Sequence, residues 1–347
     1  MVPFEYQGLI SSFNGYDIEQ TADYIKLSAT SYLRRLLKSH GWETPSPHEA
    51  DATAKPPPPL KEQDIKALYR DPPGPDEGTK EHAALAETMG FGYRTLLGEI
   101  LYAYVICRSD IGYAITTLAK FSTRPNELHY QCLKRLAKYL RQTINWGIIY
   151  WRPQSNPALP RGTFTPLTPD PKLPRVPNAE HHRQLIAYAD AAHGNELTQR
   201  RSTTGYGCCL SGGVIAYRSK TQPIVAHSST EAELVSACAN AKVIKYLRFV
   251  LYELGYIQED PTPIFDDNDS TIKIVNHSRP TERSRHIDIR YFGLQQWRAL
   301  GDIVLQHIPG IINPADDLTK ALGWVLHERH ARFLMGHFGF TPAYTSS

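Results

Sequence analysis

The sequence is poor in cysteine, and its five cysteines do not form the pattern of a zinc site or a disulfide framework. None belongs to a Cys-x-x-Cys pair, and an odd number leaves one without a disulfide partner. This disfavours the class of small secreted proteins that disulfides hold together. The N-terminus also lacks a basic segment followed by an apolar one, so we expect no secretory signal and a cytoplasmic protein.

Long apolar runs are missing as well. The longest, residues 96–107, contains Glu99 and falls short of the ~18 residues that a membrane-spanning helix needs, so we expect no membrane partner. With 41% hydrophobic and 21% charged residues, the composition excludes collagen, coiled coil and disorder along the whole length. The net charge of +3 permits an anionic partner without requiring one.

Proline, by contrast, is abundant and is concentrated in two stretches, residues 45–75 and 153–177. Four consecutive prolines at 56–59 favour polyproline II and cannot lie inside a helix or a central strand. The second stretch predicts an extended tether between folded units. A length of 347 residues fits two or three domains, and the two stretches divide the chain accordingly.

The hydrophobic pattern changes character across the second stretch. Before it the chain is predicted to be mostly helical, and after it strands alternate with helices. The expected helices are 20–40, 93–107, 110–121, 126–141, 230–255 and 284–300, and the expected strands are 146–151, 185–190, 205–210, 214–217, 263–267 and 303–308. Three strands, a helix and then alternating strand and helix predict an α/β domain with a mixed sheet.

In the predicted α/β domain, four acidic residues lie at the ends of predicted strands or in the first turns of predicted helices. Asp190 and Asp267 end predicted strands, Glu233 lies in the first turns of the long helix, and Asp316 begins a late helix. Carboxylates placed in this way can converge at one edge of a sheet, and oxygen ligands are those that Mg²⁺ prefers. Two such ions would activate water and stabilise the leaving oxygen in phosphodiester hydrolysis.

Each of these carboxylates has a purely structural alternative. Asp190 and Asp267 are both compatible with turn formation, and Asp316 suits the positive end of a helix dipole. Glu233 belongs to one of two overlapping capping boxes, although Glu231 can do the capping instead. No single carboxylate is therefore specific, and the combination gains weight only from its order along the chain.

Seven short motifs occur in one order over the last part of the chain. They are residues 188–191 (YADA), 200–206 (RRSTTGY), 219–223 (SKTQP), 228–233 (SSTEAE), 267–270 (DNDS), 283–291 (RSRHIDIRY) and 315–320 (ADDLTK). In sequence and order they resemble the ribonuclease H (RNase H) domain of copia-type LTR-retrotransposon polyproteins. The resemblance implies an RNase H-like α/β fold, a mixed five-stranded sheet with flanking helices.

The resemblance also implies a catalytic and metal-binding set. The members of this set would be Asp190, Glu233, Asp267 and Asp316, which together would hold two Mg²⁺ or Mn²⁺ ions. The resemblance favours Asp267 over its neighbour Asp266, and Asp316 over Asp317. Three positions depart from the family pattern, Ala192, His193 and Asp269, and none removes a ligand. The residues implied to contact nucleic acid are Arg201, Ser202, Thr203, Lys220, Asn268 and Arg285.

Two further groups are candidates of lower specificity. In residues 133–141 one helical face is apolar, while Lys134, Lys138 and Arg141 line another side, either to grip phosphates or as a solvated face. Among the histidines, His307 precedes Asp316 by nine residues and is a candidate auxiliary residue for product release. His286 lies within a family motif and is expected to order local structure.

The region before the RNase H-like part resembles other segments of the same polyproteins. Residues 93–102, 108–114 and the segment from His129 onward look like the thumb or connection that follows the polymerase palm, with Ser109 in place of the family's usual proline. Residues 15–42 look like the end of the palm. A reverse transcriptase needs a Tyr-x-Asp-Asp hairpin and an upstream aspartate, and neither precedes this region, so we expect no polymerase activity.

The predicted organisation follows from these resemblances. A palm remnant, a Pro-rich insert, a helical thumb or connection remnant, a Pro-rich tether, the RNase H-like domain and a tail are expected at 1–44, 45–90, 91–153, 154–182, 183–340 and 341–347. The mostly helical remnant thus precedes the α/β domain. The sequence reads as the end of a pol gene, whether fragment, degenerate copy or captured gene.

The predicted function is metal-dependent endonucleolytic hydrolysis of RNA in RNA–DNA hybrids. Such enzymes recognise the shape and backbone of the hybrid rather than its base sequence. The alternatives are an inactive nucleic-acid-binding module and an accessory reverse transcriptase subunit. Expected partners are the hybrid and either the rest of a Pol protein or a polymerase-bearing chain, in the cytoplasm or virus-like particles, with the nucleus as an alternative.

Overall fold

The computed structural model describes residues 8–44, 56–276 and 288–340. Its first sheet has four antiparallel strands in chain order, and the fourth comes from far along the sequence. The strands are β1 (Ser12–Phe13), β2 (Tyr16–Gln20), β3 (Tyr24–Ser28) and β4 (Gly147–Trp151). The strand predicted at 146–151 is thereby confirmed.

The helix predicted over residues 20–40 is wrong in its first half. The chain forms β3 there and turns helical only in α1 (Thr30–Ser39). All five residues of β3 pair with β4, which lies more than a hundred residues away in the sequence. Local periodicity cannot detect so distant a partner, and the pairing decides the conformation.

Five helices form the next part, and the three predicted after residue 90 are confirmed. They are α2 (Glu62–Arg70), α3 (Lys80–Met89), α4 (Tyr93–Ile106), α5 (Gly112–Ala119) and α6 (Glu127–Gln142). The helix predicted at 110–121 starts as a 3₁₀ turn, Ser109–Ile111. The Pro-rich insert predicted at 45–90 contains α2 and α3, and buried Leu60 and Leu68 tie it to the helical core.

The second proline-rich stretch has no regular secondary structure, but it is not a free tether. The Leu167 N–H donates to the His337 carbonyl at 2.8 Å, and the Arg329 guanidinium donates to the Pro174 carbonyl at 2.9 Å. The Tyr188 hydroxyl donates to the Pro177 carbonyl. The segment is therefore a strap packed against the parts that it connects.

The remaining chain forms a five-stranded mixed sheet flanked by helices, which confirms the predicted fold class. Its strands lie in the order β7-β6-β5-β8-β9, with β5, β6 and β7 antiparallel and β5, β8 and β9 parallel. The elements are β5 (Ile186–Ala192), β6 (Thr203–Leu210), β7 (Gly213–Thr221), α7 (Ser229–Glu253), β8 (Thr262–Asp266), α8 (Asp269–Asn276), α9 (Asp288–Ala299), β9 (Ile303–His307), 3₁₀ turns at Gly310–Ile312 and Pro314–Leu318, and α10 (Trp324–Leu334).

The two faces of this sheet have different partners. Ala187 and Ala189 of β5 point into a core that α7 covers, whereas Tyr188 between them belongs to the opposite face. On that face Tyr188, Phe265 and Leu318 share one hydrophobic cluster with the helical part. The core thus continues across the predicted domain boundary at 182/183. Among the described helices, none is long and apolar enough to cross a membrane.

Candidate metal centre

Three of the four predicted carboxylates meet in space. Asp190 lies on the central strand β5, Asp267 directly follows the parallel strand β8, and Asp316 lies in the 3₁₀ turn Pro314–Leu318. One oxygen of each lies within 4.8 Å of the others. The carboxyl ends of parallel strands share an edge of the sheet, so folding brings Asp267 next to Asp190 although 77 positions separate them in the sequence.

The turn that carries Asp316 is anchored on the sheet by Asn313. The Asn313 side-chain amide donates to the Ala189 carbonyl at 2.9 Å, and its oxygen accepts from the Ala315 N–H at 3.1 Å. Gly205 on β6 lets the turn approach, because a Cβ there would come within 2.5 Å of the Thr319 methyl group. These contacts fix the distance between Asp316 and Asp190.

Sequence reasoning gave no role to two residues that touch the carboxylates. The Lys320 ammonium lies 2.8 Å from an Asp316 oxygen and 3.4 Å from Asp190, and the Thr319 hydroxyl donates to Asp190. Lys320 follows Asp316 by four residues, a spacing that could have indicated the contact. A cationic group therefore already lies between two of the candidate ligands.

Glu233, the fourth predicted ligand, is 4% exposed and lies outside the group of three. Its Oε2 atom is buried without a hydrogen-bond partner among the residues that the structure describes. Burial, and then the charges of Asp266, Asp190 and Asp267, raise the pKa of Glu233 to about 11. Burial likewise raises the pKa of Asp266 to about 8, against the hydrogen bond that it accepts from Asn268.

Asp316, at the more exposed edge of the group, has a lower pKa than the buried Glu233. Burial and the Asp190 charge raise the pKa of Asp316 to about 7, with Lys320 opposing the rise. Burial and Asp190 also raise the pKa of Asp267. Without a cation the carboxylates repel one another, and the native state keeps protons that the unfolded chain releases near pH 4.

Raised folded-state pKa values make the metal-free protein lose stability as pH rises, from the unfolded pKa near 4 through about 7 for Asp316. A bound divalent cation competes with the same protons. We expect the Mg²⁺-induced increase in melting temperature to grow from about pH 5 to about pH 8. Thermal scans in Mg²⁺ and in EDTA at each pH measure this increase in melting temperature. The titration of histidines affects both scans equally, so its contribution cancels when the two melting temperatures are subtracted. In Asp190→Asn the increase should be small at every pH; an increase independent of pH in the parent would contradict this interpretation.

The residues predicted to contact nucleic acid have different surroundings. Ser202 and Thr203 are buried: the Ser202 hydroxyl accepts from the Gly194 N–H, and the Thr203 hydroxyl donates to Asn195. Both side chains therefore bond within the protein, and their contact with nucleic acid stays a prediction. A linear pattern does not show that Gly194 and Asn195 fold back onto these two hydroxyls.

The other predicted contacts vary in accessibility. Lys220 is exposed, Arg201 is half-buried, and Asn268 accepts from the Thr271 N–H at 3.0 Å at the start of α8. Arg285 and His286 lie outside the described residues. The half-exposed His307 ring lies 3.9 Å from the Asp269 carboxylate.

The basic stripe on α6 is partly engaged within the protein. Arg141 donates to the carbonyls of Trp42 and Thr44 at 3.3 Å each. The Lys134 ammonium lies 5.8 Å from the centre of the Trp42 ring, and Lys138 is half-buried. Trp42 and Thr44 therefore help to hold the side chains of this basic stripe in place.

Relatives occur among transposon polyproteins. Over 230 residues, 66% of this chain, the sequence is 30% identical to the retrovirus-related Pol polyprotein from transposon TNT 1-94 of Nicotiana tabacum, and it spans 15% of that protein. The polyprotein from transposon RE1 of Arabidopsis thaliana is also 30% identical over 66% of this chain, which spans 14% of it. Secreted RxLR effector protein 161 of Plasmopara viticola is 33% identical over 144 residues, 42% of this chain and 82% of that protein.

Solved structures of RNase H proteins align with part of the chain. RNase H1 from the archaeon Halobacterium salinarum NRC-1 is 20% identical with a TM-score of 0.29, over 39% of this chain and 94% of that one. LC11-RNase H1 in complex with an RNA/DNA hybrid is 14% identical with a TM-score of 0.30, over 39% and 94%. No protein-family model matches the chain.

Proposed function

The chain belongs to the family of retrovirus-related Pol polyproteins of copia-type transposons, and we propose that its α/β domain acts as a ribonuclease H on RNA–DNA hybrids. The observation that carries the proposal is the convergence of Asp190, Asp267 and Asp316. The chain spans about one seventh of the first polyproteins that it matches, so the activity proposed is that of this domain alone.

The residues present fit a divalent metal. All three converging groups supply oxygen, the donor type of Mg²⁺ and Mn²⁺, and the Lys320 ammonium already lies against two of them as a cation. The buried, unpartnered oxygen of Glu233 is a further donor close to the group. We propose that these four carboxylates hold two ions. When bound, the ions supply Lewis-acid stabilisation of the phosphate charge and a lowered pKa of water.

The protein's own groups have distinct parts in this scheme. Asp190 and Asp267 come from adjacent parallel strands and form the rigid side of the site, whereas Asp316 is held on the turn that Asn313 anchors. Lys320 keeps the charges of Asp190 and Asp316 compensated before substrate arrives. The domain would recognise the shape of the hybrid through contacts with the hybrid's backbone and 2′-hydroxyl groups.

The test is cleavage of end-labelled substrates by the purified full chain. We expect endonucleolytic products from an RNA–DNA hybrid in Mg²⁺ or Mn²⁺, none in EDTA, and none from duplex DNA of the same sequence. The absence of hybrid cleavage in both metals would leave the second candidate, a nucleic-acid-binding module without catalysis. The contacts of Lys320 favour that candidate, because its single charge already compensates part of the negative charge of Asp190 and Asp316 without any metal.

Polymerase activity is not expected from this chain. A polymerase needs its own carboxylates on a Tyr-x-Asp-Asp hairpin, and the sequence contains no such motif. A primer–template with deoxynucleotides and Mg²⁺ should therefore give no extended product, while the same preparation cleaves a hybrid. Templated extension would contradict this and place polymerase residues elsewhere in the chain.

A separate prediction concerns the α6 stripe, Lys134, Lys138 and Arg141. If it contacts phosphates, binding releases counterions, so replacing all three by Gln should flatten the slope of log K against log salt by roughly two to three units. Fluorescence anisotropy with a labelled hybrid measures the slope. The matched control replaces Lys66, Arg70 and Lys80, which are exposed on or next to other helices. Equal slopes for both triple variants would identify the stripe as a solvated face.

A further inference from the structure

A chain of buried polar side chains connects the helical part to the turn that carries Asp316. Arg108, in the loop after α4, forms two hydrogen bonds with Asp110 at 2.9 and 2.7 Å, and both side chains are fully buried. The Tyr139 hydroxyl of α6 donates to Asp110 at 2.6 Å. His327 of α10 lies 2.9 Å from the Tyr139 oxygen and 2.6 Å from Asp317.

Hydrogen-bond directions along this chain follow from chemistry. The Asp110 carboxylate only accepts, so the Tyr139 proton points to it and the Tyr139 oxygen is left to accept from the Nε2–H of His327. The other ring nitrogen, Nδ1, then donates to Asp317. His327 carries both protons, so Arg108 and His327 balance the two carboxylates.

Among the described residues, the Asp317 side chain has a single hydrogen-bond partner. Its Oδ1 atom bonds to His327, while its Oδ2 atom is buried without a hydrogen-bond partner in the described part of the chain. It is the immediate neighbour of Asp316 in the turn Pro314–Leu318. Loss of the His327 contact would therefore leave this side of the turn to the contacts of Thr319 and Lys320 with Asp190.

We propose that Tyr139 and His327 are positioning residues that hold Asp316 in place for metal binding from the helical part of the molecule. The proposal rests on the proposed function, since it requires that Asp316 binds a metal. Under this proposal the helical part supports the metal centre through Tyr139, so the position of Asp316 does not depend on residues of the α/β domain alone. Partners that support a metal ligand typically change metal affinity by roughly 10–100-fold when removed.

The experiment uses the full chain and Tyr139→Phe, which removes one hydroxyl and leaves the ring packing. Calorimetric titration with Mn²⁺, well below the melting temperature, should show a dissociation constant raised by roughly tenfold. Tyr130→Phe is the matched control: Tyr130 lies on the same helix, is equally buried and takes no part in the chain. His327→Gln is the second variant, in case Tyr139→Phe does not fold.

The outcomes separate this inference from the proposed function. If the role is positioning, raising Mn²⁺ restores the hybrid cleavage rate of Tyr139→Phe, and the KM for the hybrid stays unchanged. Parent-like Mn²⁺ affinity in folded Tyr139→Phe and His327→Gln would overturn the inference and leave the function standing. A parent protein that binds no Mn²⁺ would instead remove the proposed function itself.

Discussion

Asp190→Asn is expected to reduce hybrid cleavage by at least about a thousandfold, equivalent to roughly 4 kcal/mol of transition-state stabilisation. The substitution is nearly isosteric but removes one charge from the converging group. The fold should persist, because the backbone carbonyl of residue 190 would still accept from the Ser236 hydroxyl. Single-turnover cleavage of a labelled hybrid in Mg²⁺ measures the effect, and circular dichroism verifies the fold.

The matched control is Asp269→Asn, a nearby carboxylate whose side chain is 69% exposed. It should retain most of the activity. Asp317→Asn, although next to a candidate ligand, is not a neutral control because it breaks the buried contact with His327. In EDTA, Asp190→Asn should be at least as stable as the parent, since it relieves repulsion. Full activity of Asp190→Asn would remove it from the site.

Arg108→Met is expected to lower the free energy of unfolding by about 3–5 kcal/mol, the cost of leaving a buried charge without its partner. Arg108 and Asp110 are both fully buried, and Arg108 also donates to the Thr143 hydroxyl at 2.6 Å. Without the guanidinium, Asp110 retains, among the side chains of the described residues, only the hydrogen bond from Tyr139. Urea denaturation followed by tryptophan fluorescence measures the change.

An exposed pair provides the comparison. Arg94 contacts Glu77 at 2.7 Å, but the two side chains are 58% and 52% exposed. Arg94→Met should therefore change the free energy of unfolding by less than about 1 kcal/mol. The double substitution Arg108→Met and Asp110→Leu should recover much of the loss, because it removes both buried charges. Similar midpoints for Arg94→Met and Arg108→Met would contradict the argument from burial.

The α/β domain could be predicted in most of its parts because its signals are local. All five strands were predicted from short apolar segments, and α7 begins where Ser228 accepts from the Glu231 N–H, as one of the two possible capping boxes indicated. The mixed sheet was predicted from the succession of strands and helices, and the RNase H-like fold with five strands came from the resemblance. Convergence of Asp190, Asp267 and Asp316 was expected from strand ends and a helix start that share one edge of the sheet.

Apart from the local contact of Lys320 with Asp316, the features that escaped prediction depend on contacts between separate elements. β3 is a strand because β4 lies beside it, and the proline-rich strap is ordered by groups such as the His337 carbonyl. The buried pairing of Asp317 with His327 joins the turn Pro314–Leu318 to α10, ten residues further along the chain. Periodicity and capping rules describe single elements, so they could not reveal which side chains of two elements meet.

The hydrophobic cluster shared by the helical part and the sheet has a consequence for biosynthesis. Leu334 of the last described helix packs in the same cluster as Leu33 near the start. The first sheet cannot be completed until β4 has left the ribosome, and the cluster cannot close until α10 has followed. The nascent chain would therefore carry exposed apolar surface until α10 has emerged.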